Sequence, residues 1–288
     1  MIGAVPSWST RPGLVSVVMP AYNAAAVIGE AISSVIAQTY GHWELIITDD
    51  GSTDATAAIV RGFDDPRIRL IRQSNQGVSA ARNSALDVAQ GEFITFLDAD
   101  DALPPNSLKS RVLLLQCNPG IDVVDGVFIV CGFNLSVELQ RRYPGSSGLL
   151  LPRLLMLDEK VFRNGCFLFR RLLLGRTRFQ YGLTHAEDLL FFMELAAAQR
   201  PVYAPVNEVT YLYRTSTTSA MANLNGWEQG YFHLLKRLHR IPQLSWYQCV
   251  PTHLRIARIL LATWLRRNQP IRALISASRA LMLALIPE

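Results

Sequence analysis

Residues 91–101 read GEFITFLDADD, an apolar run that passes directly into acidic residues. The β-branched and aromatic residues are typical of a buried parallel strand, and Asp98, Asp100 and Asp101 follow where such a strand leaves the core. Ligands of open α/β sheets bind at the carboxyl ends of strands, and oxygen ligands in an Asp-x-Asp spacing suit Mg²⁺ or Mn²⁺. The stretch therefore predicts a divalent-metal site for a phosphate-bearing substrate. The alternative is an Asp-rich helix N-terminus, because residues 104–106 favour a helix start.

Strand and helix patterns alternate through the first half of the chain. Apolar runs predict strands over 14–19, 43–48, 68–72 and 93–97, and helical spacing predicts helices over 24–38, up to Val60 and over 79–89. This alternation predicts right-handed βαβ units and hence an α/β fold. Its central sheet is expected to be mostly parallel and covered on both faces.

The second half of the chain is less regular. Strands are predicted within 122–132 and over 165–170 and 206–213, with a turn-rich loop over 141–148. A helix is predicted over 184–200, with Thr184 as its N-cap and Glu187 three residues later, which matches a capping box. From about Asn225 onward the pattern is helical, with breaks expected near Pro242, Pro251 and Pro270.

Length and composition limit the possible classes of protein. The chain has 288 residues, is half apolar and carries a modest net charge of +5, which suits one large domain with an appendage and does not indicate a nucleic-acid partner. Its four cysteines have no paired spacing, so reduced core cysteines are predicted. Residues 1–13 lack a signal-peptide pattern, and no apolar run reaches the roughly 20 residues of a spanning helix. A cytoplasmic protein that at most lies on a membrane is therefore expected.

A second pair of acids, Asp49 and Asp50, ends the strand predicted over 43–48. Neighbouring strands that both end in acids build an acidic rim, which is unfavourable unless a cation or hydrogen-bond donors neutralise it. A carboxylate at a strand tip can accept from a base N–H, so a ligand contact is favoured for Asp50. Gly51 is expected to turn the chain, and Asp54 to be an acid in the first turn of the next helix.

Residues 77–83, GVSAARN, open the helix that precedes the acidic strand. A turn glycine, a serine cap and Arg82 one turn further on suit an anion, with Arg82 as a bidentate phosphate partner. The alternative is a structural ion pair between Arg82 and a nearby Asp. No Gly-x-Gly-x-x-Gly after a strand, no Walker-type loop and no His-Glu-x-x-His occurs, so dinucleotide-binding and P-loop proteins lack support.

Taken in order, these motifs resemble the family 2 glycosyltransferases over roughly residues 14–220. The matching segments are 15–23 (VSVVMPAYN), 49–54 (DDGSTD), 75–83 (NQGVSAARN), 96–101 (FLDADD) and 185–188 (HAED). The resemblance implies a GT-A fold with a Rossmann-like N-terminal half. It also implies three regions: a flexible extension (1–13), a GT-A domain (14–224, with a nucleotide-binding half to 101 and an acceptor half from 102) and a C-terminal helical region (225–288).

The resemblance also implies roles for the residues of the nucleotide-sugar site. Tyr22 would stack on the nucleobase, and the backbone of Pro20 and Ala21 would line the base pocket. Asp50 would accept from the base N3–H, and Asp98 would lie beside the ribose.

On the reacting side, the resemblance implies that Asp100 ligates Mn²⁺ or Mg²⁺ bound to the diphosphate. Asp188 would be the general base that deprotonates the acceptor hydroxyl. Glu187 would either hydrogen-bond the acceptor or cap its own helix. Arg214 would contact the diphosphate as part of a closing loop.

One position departs from the family pattern. Many relatives have a histidine two residues after a Tyr-Arg pair, whereas this chain has Ser216 there. A hydroxyl is a weak metal ligand, so the metal would depend on Asp100, phosphates and water. Ser219 is expected to contact the diphosphate together with Arg214.

The C-terminal region predicts two helices, over 254–265 and 271–286. From Arg255 to the end the chain has six arginines and a single acid, Glu288. A basic amphipathic helix can lie on an anionic leaflet, so contact with the inner membrane is one expectation. The alternative is a helical pair packed on the catalytic domain, with its arginines in solvent.

The predicted function is therefore that of a metal-dependent inverting glycosyltransferase. The donor is expected to be a UDP-sugar, and the acceptor a hydroxyl of a glycan or of a polyprenyl-linked oligosaccharide in bacterial exopolysaccharide or lipopolysaccharide synthesis. Two alternatives are a non-catalytic nucleotide-sugar-binding protein of the same fold and a phosphatase with Asp98 as nucleophile. The phosphatase is disfavoured because its motif belongs on the first strand, with Thr or Val where this chain has Ala102.

Overall fold

The strands of the described chain form one sheet. The computed structural model describes residues 10–161, 166–183, 185–215 and 223–285. The strands are β1 (Arg11–Ala21), β2 (Trp43–Asp49), β3 (Ile68–Arg72), β4 (Gly91–Phe96), β5 (Val123–Cys131), β6 (Glu138–Arg142), β7 (Gly148–Leu149), β8 (Leu168–Arg170) and β9 (Val202–Arg214). The α-helices are α1 (Ile28–Ile36), α2 (Thr56–Arg61), α3 (Val78–Leu86), α4 (Ser107–Cys117), α5 (Leu150–Leu155), α6 (Glu187–Gln199), α7 (Leu224–Leu238), α8 (Trp246–Arg266) and α9 (Pro270–Met282), and a 3₁₀ turn spans Arg171–Leu174.

The sheet has the predicted, mostly parallel character. Its strand order is β3-β2-β1-β4-β8-β5-β9-β7, with β6 paired to β5. Strands β1 to β5 and β9 run in one direction, whereas β6, β7 and β8 run against them. The carboxyl ends of β1, β2, β4 and β9 therefore lie at one edge of the sheet, which is where open α/β sheets bind ligands.

Two apolar cores cover the two faces of the sheet. Along β2, Leu45 and Ile47 belong to one core and Ile46 to the other, because successive side chains of a strand point to opposite faces. Helices α1, α2 and α4 pack on the side of Leu45, and α3, α5, α6 and the C-terminal helices pack on the side of Ile46. The C-terminal helices thus share a core with the rest of the protein.

The start of the sheet lies earlier than the sequence pattern predicts. Strand β1 begins at Arg11, which pairs with Gly91 of β4, whereas an apolar run starts only at Leu14. The Gly13 N–H donates to a carboxylate oxygen of Glu92 at 2.7 Å, which anchors this polar strand end. Likewise, the loop predicted over 141–148 contains the end of β6 and the start of β7.

The predicted capping box of α6 is wrong. The helix begins at Glu187, and its N-cap position is taken by Ala186 in the left-handed region at φ 60°. Glu187 is therefore the first helical residue and not the third, and its carboxylate pairs with Arg82. Thr184, the predicted cap, lies outside the described residues.

Pro251 does not break the C-terminal region as predicted, because it lies inside α8. The helix starts earlier, at Trp246, where Ser245 and Gln248 form a capping box that satisfies the first backbone groups. No helix in the described ranges has the length and apolar character needed to cross a membrane.

Helices α7 to α9 are joined by a buried carboxylate. Glu228 of α7 accepts from the Trp264 indole N–H at 3.0 Å, from Arg272 at 2.8 Å and from the Ser276 hydroxyl. The Arg272 guanidinium also stacks over the Trp264 ring, 3.6 Å from its centroid. The tail therefore packs on the domain, as the alternative prediction had it, but Arg272 turns inward and not into solvent.

We expect Glu228→Ala to lower the free energy of unfolding by about 3 kcal/mol. The substitution leaves the Arg272 guanidinium and the Trp264 N–H without their shared acceptor in a packed helical interface. Urea denaturation of both proteins measures the difference. Glu159→Ala is the matched control, because its contact with Arg255 is largely exposed and should contribute little. Equal effects of the two substitutions would contradict the role of Glu228.

Candidate active site

A cavity of about 580 Å³ opens at the carboxyl edge of the sheet. It brings together predicted site residues from six separate segments of the sequence. The predicted site residues in its wall are Pro20, Ala21, Tyr22, Asp50, Arg82, Asp98, Asp100, Glu187 and Arg214. Asp188 is the next residue after Glu187 and does not itself line this cavity.

At one end of the cavity, the tips of β1 and β2 are tied together. The ring of Tyr22 stands at the rim and is half exposed, so one face is available for stacking. Asn23 adopts a left-handed backbone at φ 47°, its N–H donates to Ser52 at 2.9 Å, and its side-chain oxygen accepts from the Thr53 N–H at 2.9 Å. These contacts position Tyr22 next to the end of β2.

The carboxylate of Asp50 is already bound by protein donors. One oxygen accepts from the Gln73 amide at 2.7 Å and the Gln76 N–H at 2.9 Å, and the other accepts from the Gly77 N–H at 2.8 Å. Asp50 therefore holds the loop before α3 against the end of β2. A carboxylate has about four lone-pair sites, so one acceptor position on Asp50 is left for a ligand.

The predicted acidic rim is largely neutralised by the protein itself. The buried carboxylate of Asp49 pairs with Arg72 at 3.0 Å and accepts from the Ser52 N–H at 3.0 Å. Gly51 provides the turn between them at φ +76°, and a Cβ there would meet the Asn75 nitrogen at 2.8 Å. Asp54 accepts from the backbone N–H and the hydroxyl of Thr56, but it precedes α2 and is therefore not in the first helical turn, as had been predicted. The negative charge that still needs a cation to neutralise it is therefore at the tip of β4.

Arg82 links the tip of β4 to the helix that carries Asp188. It is almost fully buried and pairs with Asp98 at 3.0 Å and with Glu187 at 2.9 Å. Burial alone would lower the pKa of Arg82, but the negative charges of Asp98 and Glu187 raise it above its ordinary value. Of the two predicted roles, the ion pair with an Asp is the one present here. The expected serine cap does not form, since Gly77 is the N-cap of α3.

The acidic tip of β4 concentrates negative charge. Burial, followed by repulsion from Asp98, raises the pKa of Asp100. Asp101 is fully buried and accepts from the Tyr211 hydroxyl at 2.8 Å and from the Arg214 N–H at 2.8 Å. Burial and the neighbouring Asp100 raise the pKa of Asp101 well above its usual range.

Arg214 binds the backbone at the acidic tip of β4. Its guanidinium donates to the Asp100 carbonyl at 2.6 Å and to the Phe133 carbonyl, and it pairs with Glu30 of α1. The side chain is almost fully buried. Arg214 thus lies beside the predicted metal ligand, whereas Ser216 and Ser219 lie outside the described residues.

The oxygen ligands at the tip of β4 fit a hard divalent cation. Of the acids that line the cavity, Asp50 and Asp98 have protein partners, whereas burial and like charge disfavour ionisation of Asp100 in the absence of a cation. No cluster of three acidic, His or Cys ligands occurs in the described part of the chain. Mg²⁺ and Mn²⁺ suit such a site, since one or two carboxylates with phosphate oxygens and water can complete their coordination.

Asp188 lies in the first turn of α6, directly after the Glu187 that pairs with Arg82. One of its carboxylate oxygens accepts from the Leu189 N–H at 2.7 Å. Burial, followed by repulsion from Glu187, raises the pKa of Asp188 to about 7, against the opposing effect of Arg82. A carboxylate with a pKa near neutrality is suited to general base catalysis.

Two residues of the candidate site, Phe133 and Tyr211, were not found from the sequence. Phe133 lines the cavity with two-thirds of its side chain exposed, but it lies in the irregular segment after β5 and carries no local signal. The hydroxyl of Tyr211 joins Asp101 to the Asp98 N–H, 3.3 Å away. Tyr211 belongs to an apolar strand pattern, in which a buried tyrosine does not reveal its hydrogen-bond partner.

The family model for glycosyl transferase family 2 matches residues 16–177, more than half of the chain. The chain belongs to this family. The predicted family is thereby confirmed, and with it the expectation of a glycosyltransferase domain. The matched range covers both acidic strand tips and ends before Asp188.

Known proteins resemble this chain in sequence and in fold. It is 45% identical over 106 residues to the Escherichia coli UDP-Glc:alpha-D-GlcNAc-diphosphoundecaprenol beta-1,3-glucosyltransferase WfgD, which is 36% of this chain and 42% of that protein. The chain thus matches less than half the length of this relative.

Two solved structures share the fold. S. aureus TarS in complex with UDP-GlcNAc superposes with a TM-score of 0.71 at 21% identity, over 93% of this chain and 81% of TarS. The mannosyltransferase PcManGT from Pyrobaculum calidifontis, in complex with GDP-Man and Mn²⁺, has a TM-score of 0.60 at 20% identity, over 98% and 88% of the two chains. The predicted GT-A fold is therefore confirmed.

Proposed function

We propose that this family 2 member transfers a sugar from a UDP-sugar to an acceptor hydroxyl, with inversion at the anomeric carbon. The observation that carries the proposal is the convergence of residues from six segments on one cavity, with Asp188 next to one of them in the sequence. Arg82 pairs with Asp98 at the acidic tip of β4 and with Glu187, the residue before Asp188, whose pKa is near 7. This arrangement suits a leaving group at the β4 tip and an acceptor at the start of α6.

The nucleotide would occupy the end of the cavity near Tyr22. The exposed ring of Tyr22 offers a face for the base, and Asp50 retains one acceptor position for a base N–H. UDP as the nucleotide is supported by WfgD, whose name includes UDP-Glc, and by TarS with bound UDP-GlcNAc. Asp98, held by Arg82, would lie beside the ribose.

Asp100 would hold Mn²⁺ or Mg²⁺ at the diphosphate. A bound divalent ion supplies charge stabilisation for the leaving diphosphate. The protein's own contribution is to position Asp100, because Arg214 and Tyr211 fix the backbone on both sides of it. The Mn²⁺ in the PcManGT complex supports this choice of metal.

Asp188 would act as the general base. Its carboxylate takes the proton of the acceptor hydroxyl while the acceptor oxygen forms a bond to the anomeric carbon. The bond from that carbon to the diphosphate oxygen breaks, and the nucleoside diphosphate leaves with the electron pair. Glu187 and Arg82 would keep Asp188 oriented, because Arg82 fixes the first turn of α6.

We further propose a glycan or polyprenyl-linked oligosaccharide as the acceptor, in the synthesis of a bacterial surface polysaccharide. The diphosphoundecaprenol acceptor in the name of WfgD supports this class of substrate. A lipid-linked acceptor would be met at the cytoplasmic face of the inner membrane, so peripheral contact of the C-terminal region with that membrane is part of the proposal.

The rate of transfer is expected to fall as the pH drops below about 7. The pKa of Asp188 is raised to about 7, so the base is protonated below that pH, and kcat/KM should decrease about tenfold per pH unit. The pH profile of kcat/KM measures this limb. Glu187→Gln removes the negative charge next to Asp188 and should move the fall in kcat/KM to lower pH. A fall at the same pH in both proteins would contradict the assignment of Asp188 as the general base.

Calorimetric titration tests the donor class directly. UDP should bind in the presence of Mn²⁺ and should bind weakly with EDTA, whereas GDP and dTDP should bind more weakly than UDP. Preferential binding of GDP would replace the proposed donor with a GDP-sugar. Failure of all three nucleotides to bind would overturn the donor site.

A further inference from the structure

The last helix, α9, has its small residues inside and its large apolar residues outside. Ala273, Ser276 and Ala280 are buried against the protein. The opposite face presents large side chains that are 40% to 75% exposed, namely Ile271, Leu274, Ile275, Leu281 and Met282. We call these five residues the outer face of α9. A surface helix of a globular protein normally has the reverse arrangement, with its large apolar residues against the core.

The C-terminal sequence that carries this face is rich in positive charge. Between Glu228 and Glu288 the sequence has nine Lys and Arg residues and no Asp or Glu. Arg266 and Arg267, at the end of α8, are exposed, and within the described residues neither has an ion-pair partner. The outer face is therefore an apolar stripe beside unpaired cations.

We propose that the outer face of α9 is a membrane-docking surface that inserts into an anionic leaflet. A helix with a large apolar face and cationic neighbours lies in the interface plane, with its apolar side chains at the boundary of headgroups and acyl chains. Arg266 and Arg267 would then contact anionic headgroups. The sequence pattern predicts membrane contact by a basic amphipathic helix without indicating which face, and the structure assigns that contact to the outer face of α9, with the arginines at its edge.

The positive charge beside the outer face of α9 favours a membrane, and not a second copy of this chain, as its partner. A twofold contact brings the same surface of each copy together, so the exposed Arg266 and Arg267 of one copy would face those of the other. Such a juxtaposition is unfavourable, and an anionic leaflet supplies the missing counter-charge. The inference agrees with the proposed lipid-linked acceptor, but binding needs neither donor nor acceptor and is tested apart from transfer.

The test is co-sedimentation of the full chain with vesicles of phosphatidylcholine, alone or mixed with phosphatidylglycerol. The wild-type protein should bind the anionic vesicles at least about tenfold more strongly. The double substitution Leu274→Ser with Ile275→Ser should reduce that binding by about tenfold or more. Arg266→Gln with Arg267→Gln should reduce it too, and should remove much of its sensitivity to salt.

Leu113→Ser is the matched control, because Leu113 is similarly exposed on α4, and it should bind like the wild type. All these variants should bind UDP as the wild type does, so loss of vesicle binding is separable from failure of the donor site. Equal wild-type binding to both kinds of vesicle, or no effect of the Leu274 and Ile275 substitutions, would overturn the proposal. A wild-type dimer that these substitutions dissociate would instead identify the face as a contact between copies.

Discussion

Asp188→Asn is expected to reduce sugar transfer by roughly 10²- to 10⁴-fold, the range lost with a positioned general base. The amide has nearly the same shape as the carboxylate but cannot take the acceptor proton. The contact with the Leu189 N–H is kept by the amide oxygen, so the first turn of α6 should be preserved. The measurement is kcat for transfer at saturating donor and acceptor.

The control for this experiment lies on the same helix. Glu194→Gln changes a carboxylate that pairs with Arg237, and it should leave transfer close to the wild-type rate. The affinity of Asp188→Asn for UDP should equal that of the wild type, because Asp188 does not line the cavity. Retention of wild-type transfer by Asp188→Asn would mean that another group is the base.

Asp100→Ala is expected to weaken metal-dependent UDP binding by roughly a hundredfold, since even residues that only orient metal ligands contribute 10–100-fold. Asp50 and Asp98 already have protein partners, so Asp100 is the carboxylate of the cavity best placed to serve an added cation. Calorimetric titration of UDP with Mn²⁺ gives the dissociation constant of each protein. The rate of transfer should fall with the lost affinity.

Asp87→Ala controls for the loss of a carboxylate. Asp87 pairs with Arg178 on the surface and does not line the cavity, so UDP affinity should not change. If wild-type protein binds UDP equally well with Mn²⁺ and with EDTA, the site does not use a metal for binding. If Asp100→Ala retains the Mn²⁺ effect, the metal is held elsewhere.

The strand tips of the first half could be predicted because their signals are local. An apolar run followed by acids marks both the end of a strand and its functional edge, so residues such as Asp50 and Asp98 were found together with the parallel sheet. Each of these assignments depends on neighbours within a few positions in the sequence. The order of such motifs along the chain also pointed to the family.

The contacts that join these tips could not be predicted because they span long separations. Arg82 reaches Glu187 across 105 positions, and Arg214 reaches Glu30 across 184. For Arg82, the sequence left a phosphate contact and an ion pair equally open. The capping box at Glu187 failed for the same reason, because a distant arginine binds the carboxylate that a local rule assigns to the helix end.

The orientation of the last helix, α9, could not be predicted from the sequence either. Helical periodicity showed that the last helix is amphipathic, but it did not show which side faces the protein. Small residues such as Ala273 and Ala280 face inward because they allow close packing against α7 and α8, and this leaves Leu274 and Ile275 outside. That choice is made by the neighbouring helices and not by the segment itself.

The configuration of the product tests the central claim most directly. The protein would be incubated with an α-linked UDP-sugar, Mn²⁺ and an acceptor that carries a sugar diphosphate on a short polyprenyl chain, and the new linkage would be identified by NMR. Direct attack assisted by Asp188 predicts a β-linked product that forms in the wild type and is lost in Asp188→Asn. An α-linked product, or a β-linked product formed equally well by Asp188→Asn, would contradict the account.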